Sequence, residues 1–265
     1  MSEEILNRVE NGVAVITLNR PDRFNALTRE MLSDLGAILS VHAEDPDIGC
    51  VVLTGAGKAF CSGGDVRVQA QAAAGGGTGS PEQRADQLRR TMIASQLLHD
   101  MPKPTIAMVN GVAAGAGMSL ALACDLRVVG ESGRLTTAFI KVGLSGDYGG
   151  TYFLTQLVGP AMARELYLLS DMLDAQRMKE LGLASRVVPD AELVAETMAL
   201  AHRFAEGPRL AHRYIKRNLN TAEKGVLSDT LDAEALGLMR TRMTEDHAEA
   251  ARAFVEKRKP VFKGR

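Results

Sequence analysis

Cys50-Val51-Val52-Leu53 is a wholly apolar strand, and Thr105 to Val109, just after Pro104, is a second buried one. A strand with one wet face alternates apolar and polar residues. Unbroken apolar strands therefore belong to a sheet covered on both faces, the habit of parallel sheets under helices. Each strand runs directly into a glycine-rich turn, Gly55-Ala56-Gly57-Lys58-Ala59-Phe60-Cys61-Ser62-Gly63-Gly64-Asp65 in the first case and Asn110-Gly111-Val112-Ala113-Ala114-Gly115-Ala116-Gly117 in the second. Glycine turns let a ligand approach the main chain closely, and where a helix begins they leave N–H groups without internal partners. Two such turns can aim two N–H groups at one point.

The remaining elements fit an α/β chain. Ile5 to Val9 and Val13 to Leu18 alternate on either side of Asn11-Gly12, a hairpin signal because both residues tolerate positive φ. Thr28 caps a helix reaching about Ala43, with Met31, Leu35, Ile38 and Leu39 on one face and Asp45-Pro46-Asp47 as its stop. Ala70 to Ser80, with glycines at 75, 76 and 77, reads as a mobile surface loop. Ser80-Pro81-Glu82-Gln83 is a capping box that starts a helix to about His99. Gly117 to Cys124 reads as a short apolar helix and Leu126 to Val129 as a strand. Gly149 to Val158, Ala161 to Leu169 and Asp174 to Leu181 read as three helical segments, and Arg186 to Val188 as a brief strand. From about Asp190 the chain is helical. Strands alternating with helices and then helices alone predict an α/β core over 1–190 and a helical region over 191–265.

Composition removes several classes of partner. Lys plus Arg total 31 against 32 Asp plus Glu, a formal charge of −1, so there is no global basic field to draw the chain onto nucleic acid, and an acidic ligand must be met locally. Cys50, Cys61 and Cys124 form no CxxC pair and have no His at ligand spacing, so neither a disulfide framework nor a metal site is expected. The N-terminus is acidic and no apolar run approaches membrane-spanning length. A cytoplasmic location and no membrane association are expected.

The glycine turns have two candidate uses. Phosphate cradling is weak, because Gly55-Ala56-Gly57 lacks the GK[ST] ending of a P-loop and neither turn completes GxGxxG with an acid on the next strand. The other use is an oxyanion hole, in which each converging donor is worth about 2.7–4 kcal/mol toward a developing negative oxygen. One such turn alone would be read as tight packing; the pair favours the oxyanion hole.

Leu18-Asn19-Arg20-Pro21 with Asn25-Ala26-Leu27, Phe60 to Asp65, Lys103-Pro104, Asn110 to Gly117, Gly149-Gly150-Thr151 and Phe254-Val255-Glu256-Lys257-Arg258 occur in this order over nearly the whole chain. Together they resemble the enoyl-CoA hydratase/isomerase (crotonase) superfamily. The resemblance implies a spiral of ββα units with a helical C-terminal trimerisation region, assembling as a homotrimer or a dimer of trimers. It implies an acyl-CoA thioester as substrate and no separate cofactor. The thioester oxygen would be held by the main-chain N–H groups of Gly64 and Ala116. The CoA adenine would lie near Arg23, Ala26, Ser62 and Val66, closed over by Phe262 or Lys263 of a neighbouring subunit, with Asp65 and Tyr148 flanking the substrate.

The chain also departs from that pattern. Hydratases of the superfamily deliver water with two glutamates, whose positions here correspond to Ser119 and Phe139. Neither side chain takes a proton at neutral pH as a carboxylate does. What the chain offers is Asp147, in Gly143-Leu144-Ser145-Gly146-Asp147-Tyr148-Gly149-Gly150-Thr151, where some isomerases and aryl-CoA dehalogenases of the superfamily are similar in carrying an aspartate. Apolar neighbours such as Phe139, Tyr148 and Phe153 are expected to raise its pKa by desolvation. The plain alternative is that Asp147 caps the helix from Gly149. A single acid/base group fits isomerisation, moving a proton one or two carbons along an enolate, better than hydration. The rival readings are an enoyl-CoA hydratase, a hydrolase or dehalogenase with Asp147 as nucleophile, and a CoA-ester-binding protein without a catalyst. The dehalogenases resembled here line the ring pocket with an indole, and this chain has no Trp.

Other polar residues have simpler readings. Asp65 and Asp125, at element boundaries, are expected to satisfy backbone donors. Arg20, Arg23, Lys58 and Arg67 are candidates to meet CoA phosphates, with Lys257, Arg258, Lys259 and Lys263 adding charge from the tail. His99 suits a helix C-terminus. His42, His202, His212 and His247 are expected to face solvent, and Ser119 to bond its own preceding turn.

Overall fold

The computed structural model describes residues 3–65 and 79–265. The alternating segments around Asn11-Gly12 form β1 (Ile5–Glu10) and β2 (Val13–Leu18), paired antiparallel. Asn11 (φ 48°) and Gly12 (φ 76°) both take the left-handed backbone that a two-residue hairpin needs. From β2 the sheet continues in parallel through β3 (Cys50–Gly55), β5 (Thr105–Val109), β7 (Leu126–Gly130) and β10 (Arg186–Val188), in the order β1-β2-β3-β5-β7-β10.

Side chains alternate along these strands, and the alternation sorts them into two cores. Ala14, Ile16, Val51, Leu53, Ala107 and Val109 point to one face. Val13, Val15, Cys50, Val52, Ile106 and Met108 point to the other. The first face packs against α1 (Arg29–Glu44) and α4 (Ala116–Ala123), and the second against Leu193, Leu200, Ala201 and Ala205 of α7 (Leu193–Ala205). The central strands are therefore apolar on both sides because both sides are buried.

A second, four-stranded sheet is made of β4 (Ala59–Cys61), β6 (Val112–Ala114), β8 (Arg134–Thr136) and β9 (Leu173–Asp174), in the order β4-β6-β8-β9. Sequence reasoning missed it, because strands of two or three residues inside glycine turns are too short to display a period. Each of β3, β5 and β7 is followed by one of these short strands, giving the spiral of ββα units implied by the resemblance.

Helix bounds follow local chemistry. Thr28 caps α1 by accepting from the Met31 N–H at 3.1 Å. Ser80 and Gln83 form the full capping box of α2 (Pro81–Thr91). The single helix expected from Ser80 to His99 is two, α2 and α3 (Ile93–Asp100), which meet at Met92 (φ −70°, ψ −3°). Between the expected segments around Gly159-Pro160, α5 (Gly150–Leu169) kinks at Gly159 (φ 76°, ψ 165°). The chain closes with α6 (Ala175–Glu180), α8 (Arg209–Ala222), α9 (Leu227–Arg242) and α10 (Glu245–Val255).

Two buried polar groups correct or extend the sequence reading. His42 does not face solvent: it is buried, with Nε2 2.9 Å from Asn7 Oδ1, and burial pulls its pKa below the usual imidazole value. It extends the Met31, Leu35, Ile38 stripe by one more turn of α1, which the expectation of a solvated histidine overlooked. His202 and His212 are half-buried as well, and His247 is exposed. Lys216 of α8 sends its ammonium inward to Asp125 Oδ2 (2.8 Å) and to the carbonyls of Leu98 and Lys103 (both 3.0 Å). Asp125 also accepts from the Thr105 N–H at 2.7 Å, which ties α8 to the start of β5. Among the described residues no helix is long and apolar enough to cross a membrane.

Candidate active site

The two glycine turns meet. Gly63 takes φ 96°, and a Cβ there would stand 2.9 Å from the Ala114 carbonyl and 3.6 Å from the Ala116 nitrogen. Gly117, in the first turn of α4, has no side chain because one would fall on Cys61 of β4. The close approach is thus written into glycine at both contact points.

Gly64 is held by a parallel bridge to Leu27: the Leu27 N–H donates to the Gly63 carbonyl at 2.8 Å, and the Asp65 N–H to the Leu27 carbonyl at 3.2 Å. That bridge leaves the intervening Gly64 N–H out of the ladder. Ala116 opens α4, where N–H groups have no partner within the helix. The left-handed backbone at this junction falls on Gly115 (φ 54°), so alanine is unstrained at 116. Among the described residues neither the Gly64 nor the Ala116 N–H has a hydrogen-bond acceptor.

Both residues line one cavity of about 500 Å³, whose walls also include Leu27 and Leu32, Leu88 and Thr91 of α2, Asp65, and Asp147 with Tyr148. Asp147 is the carboxylate nearest in sequence to α5, but it does not cap that helix. Gly149 is the N-cap, and among the described residues no side chain caps the helix and the buried Asp147 Oδ1 has no hydrogen-bond partner. Burial pushes the Asp147 carboxyl up to about 6. Its loop is anchored through the main chain: the Asp147 carbonyl accepts from Ser119 Oγ at 3.0 Å and from the Gly150 N–H at 3.1 Å. Ser119 Oγ also lies 3.3 Å from the Gly115 carbonyl, the bond to its own preceding turn. Tyr148, at φ 51°, is buried with its hydroxyl 2.8 Å from Thr91 Oγ1, which pins the loop to α2.

A raised carboxylate has a stability consequence. Asp147 holds its proton up to about pH 6 when folded but only to its ordinary value of 3.8 when unfolded. Between those values the native state binds more protons, so stability is fully present below pH 4 and is lost as pH rises through 6. The loss is about 2 kcal/mol, discounted for the part of the side chain that water reaches. Urea titrations of wild type and Asp147→Asn should diverge in this window, the variant keeping what the wild type loses. Parallel curves would contradict the buried placement.

The turn that carries Gly64 is braced from below. Asn25, fully buried at φ 57°, donates through Nδ2 to the Ala56, Ala59 and Phe60 carbonyls and accepts the Arg20 N–H on Oδ1 at 2.9 Å. Arg20, a sequence candidate for phosphate, is committed elsewhere: its guanidinium reaches Glu4 (3.0 Å), Asp65 (3.2 Å) and the Ala26 carbonyl (2.6 Å). Sequence reasoning gave Asn25 no role of its own. A lone Asn before an apolar run signals a left-handed turn, but not three carbonyls converging on one amide.

Arg23, Ala26 and Ser62 come together at one edge of this turn, where the Ser62 N–H donates to the Phe24 carbonyl at 2.9 Å and the Ala26 N–H to the Arg23 carbonyl at 3.0 Å. Lys58 is exposed nearby. Val66 and Arg67 lie outside the described residues, as does the expected loop over Ala70 to Ser80 apart from Gly79 and Ser80. Phe262 and Lys263 are not at this cavity within the chain. Phe262 lines a separate one of about 470 Å³ among α8, α9 and α10, and the Lys263 N–H is tied to Asp246 Oδ1 at 2.7 Å.

The family model for enoyl-CoA hydratase/isomerase matches residues 8–265. The chain is 37% identical over its full length to the full length of the 1,2-epoxyphenylacetyl-CoA isomerase of Escherichia coli (strain K12). It is 34% identical over 96% of its length to 84% of the mitochondrial enoyl-CoA hydratase of Pongo abelii. Among solved structures, the enoyl-CoA hydratase from Bacillus anthracis superposes with a TM-score of 0.91 at 32% identity, over 99% of this chain and all of that one. The motifs, the spiral and these likenesses agree: the chain belongs to the enoyl-CoA hydratase/isomerase family.

Proposed function

We propose that this enzyme shifts a proton along the acyl chain of a CoA thioester, an enoyl-CoA isomerase-type reaction through an enolate, with Asp147 as the single acid/base group. The observation that carries the reading is the shared cavity: Gly64, Ala116 and Asp147 line one space, and among the described residues neither of the two N–H groups nor Asp147 Oδ1 has a hydrogen-bond partner, while Ser119 and Phe139 stand where the superfamily's hydratases are expected, from the resemblance, to carry glutamates.

In this mechanism the thioester oxygen accepts from both N–H groups, which acidifies the carbon beside the carbonyl. Asp147, with its pKa near 6, is mostly ionised at neutral pH yet basic enough to take the proton. The enolate charge moves onto the oxygen held by the two donors. The same carboxylic acid then returns the proton farther along the conjugated system, so no second carboxylate is required. Hydration in the superfamily uses two glutamates to orient and deprotonate water, and at those two positions this chain carries Ser119 and Phe139. The Escherichia coli relative at 37% identity is an isomerase, which agrees with this reading. On this reading the CoA nucleotide lies at the Arg23, Ala26, Ser62 edge, and Phe262 or Lys263 of a second subunit in a trimer would close over it.

The test is incubation with 3-enoyl-, 2-enoyl- and aryl-CoA esters in deuterated water. Exchange at carbon and movement of the double bond are expected, without net hydration. Oxygen from labelled water appearing in Asp147 after one turnover would replace this reading with a covalent ester route, and binding without exchange would remove the chemistry altogether.

A further inference from the structure

Beneath the Asp147 loop lies a second buried polar atom that the mechanism leaves unused. The hydroxyl of Tyr167, in the last turns of α5, is buried with no partner among the described residues, the same condition as Asp147 Oδ1. Its ring is stacked on Phe139, with centroids 6.1 Å apart and planes 3° from parallel, which fixes where the oxygen points. A Cβ on Gly150 would come to 2.5 Å from that oxygen, and one on Gly146 to 3.5 Å. The hydroxyl is thus seated against residues on both sides of Asp147. Ser119 Oγ crowds the same point over Gly150, but its hydrogen already serves the Asp147 carbonyl. Of the two hydroxyls under the loop, one holds the main chain of Asp147 and the other still has a hydrogen to give. Its phenol is pushed well above the usual tyrosine pKa, chiefly by burial and further by the charge of Asp147, so it stays a donor throughout the working pH range.

We propose that Tyr167 is a positioning residue for Asp147: the two atoms are not hydrogen-bonded in this structure, and a small shift of the Asp147 loop brings the hydroxyl to donate to the carboxylate, fixing one carboxylate oxygen and leaving the other for the substrate carbon. This rests on the reading of Asp147 as the acid/base group. A donor to the carboxylate favours its ionised form and opposes desolvation. The other titratable or charged groups around the carboxyl are Arg29 and Glu30 of α1, Asp65, Arg84 of α2, Tyr148 on its own loop, and the Cys61 thiol beneath. Tyr167→Phe touches none of them and keeps the ring on Phe139.

The test follows the Asp147 carboxyl by carbon-13 NMR in aspartate-labelled protein, the signal identified by its loss in Asp147→Asn. In Tyr167→Phe the titration midpoint should rise by about one pH unit, the acidic limb of kcat/KM for proton exchange should move up by the same amount, and KM should change little. An unmoved midpoint, or a change confined to KM or to thermal stability, would reduce Tyr167 to packing and overturn the proposal. The two claims fail separately. Exchange surviving in Asp147→Asn would sink the acid/base reading, while the NMR midpoint would still decide whether Tyr167 addresses that carboxylate.

Discussion

Asp147→Asn should lower deuterium exchange into an enoyl-CoA substrate by about a thousandfold, within the range that general acid–base groups contribute. Affinity for the CoA ester should be nearly unchanged, because the nucleotide edge and the two N–H donors are untouched. The asparagine is close in size and shape but cannot accept a proton near neutral pH. The loss would therefore fall on kcat, as expected of a group whose interaction is made in the transition state. The buried carboxyl, raised to about 6 by burial, also sets the sign of the wild-type pH profile: activity that needs the ionised base climbs through about pH 6. Exchange at the wild-type rate in the variant would show that another group takes the proton.

Ala116→Pro should be nearly as damaging. Ala116 is the first residue of α4, a position where proline is tolerated because its nitrogen needs no hydrogen for the helix. On the proposed mechanism the substitution deletes one oxyanion donor and sets a ring carbon where the thioester oxygen would lie. Loss of a single donor of this kind costs about 2.7–4 kcal/mol, a hundredfold to a thousandfold in kcat, so at least a hundredfold loss is expected, with the fold retained as judged by Tm. Activity within tenfold of wild type would mean that the Ala116 amide does not address the substrate.

Much of this site was legible before any coordinates. The apolar residues of β3 and β5 announce a sheet buried on both faces, and glycines 63, 64, 115 and 117 announce main-chain close approach, which only glycine permits without side-chain conflict. Asp147 stood out through the resemblance, since from its own loop a helix cap was as good a reading as an acid/base group. Contacts between distant segments were not legible. Nothing near Asn25 predicts that its amide would gather three carbonyls of the next turn. Nothing near Tyr167 predicts that its hydroxyl would come up under residues about twenty positions earlier. Arg20 read as a phosphate ligand because its charge was visible and its partners, Glu4 and Asp65, were not. His42 read as solvated because its neighbours in sequence are polar, although its neighbours along the helix face are not.

The most direct test of the central claim is a crystal structure of the enzyme with a bound acyl-CoA analogue that mimics the enolate. The thioester oxygen should lie about 2.7–3.1 Å from both the Gly64 and Ala116 nitrogens, with a carboxylate oxygen of Asp147 in contact with the carbon beside the carbonyl. A thioester oxygen bound by only one of those amides, or an Asp147 carboxylate turned away from the acyl chain, would contradict it.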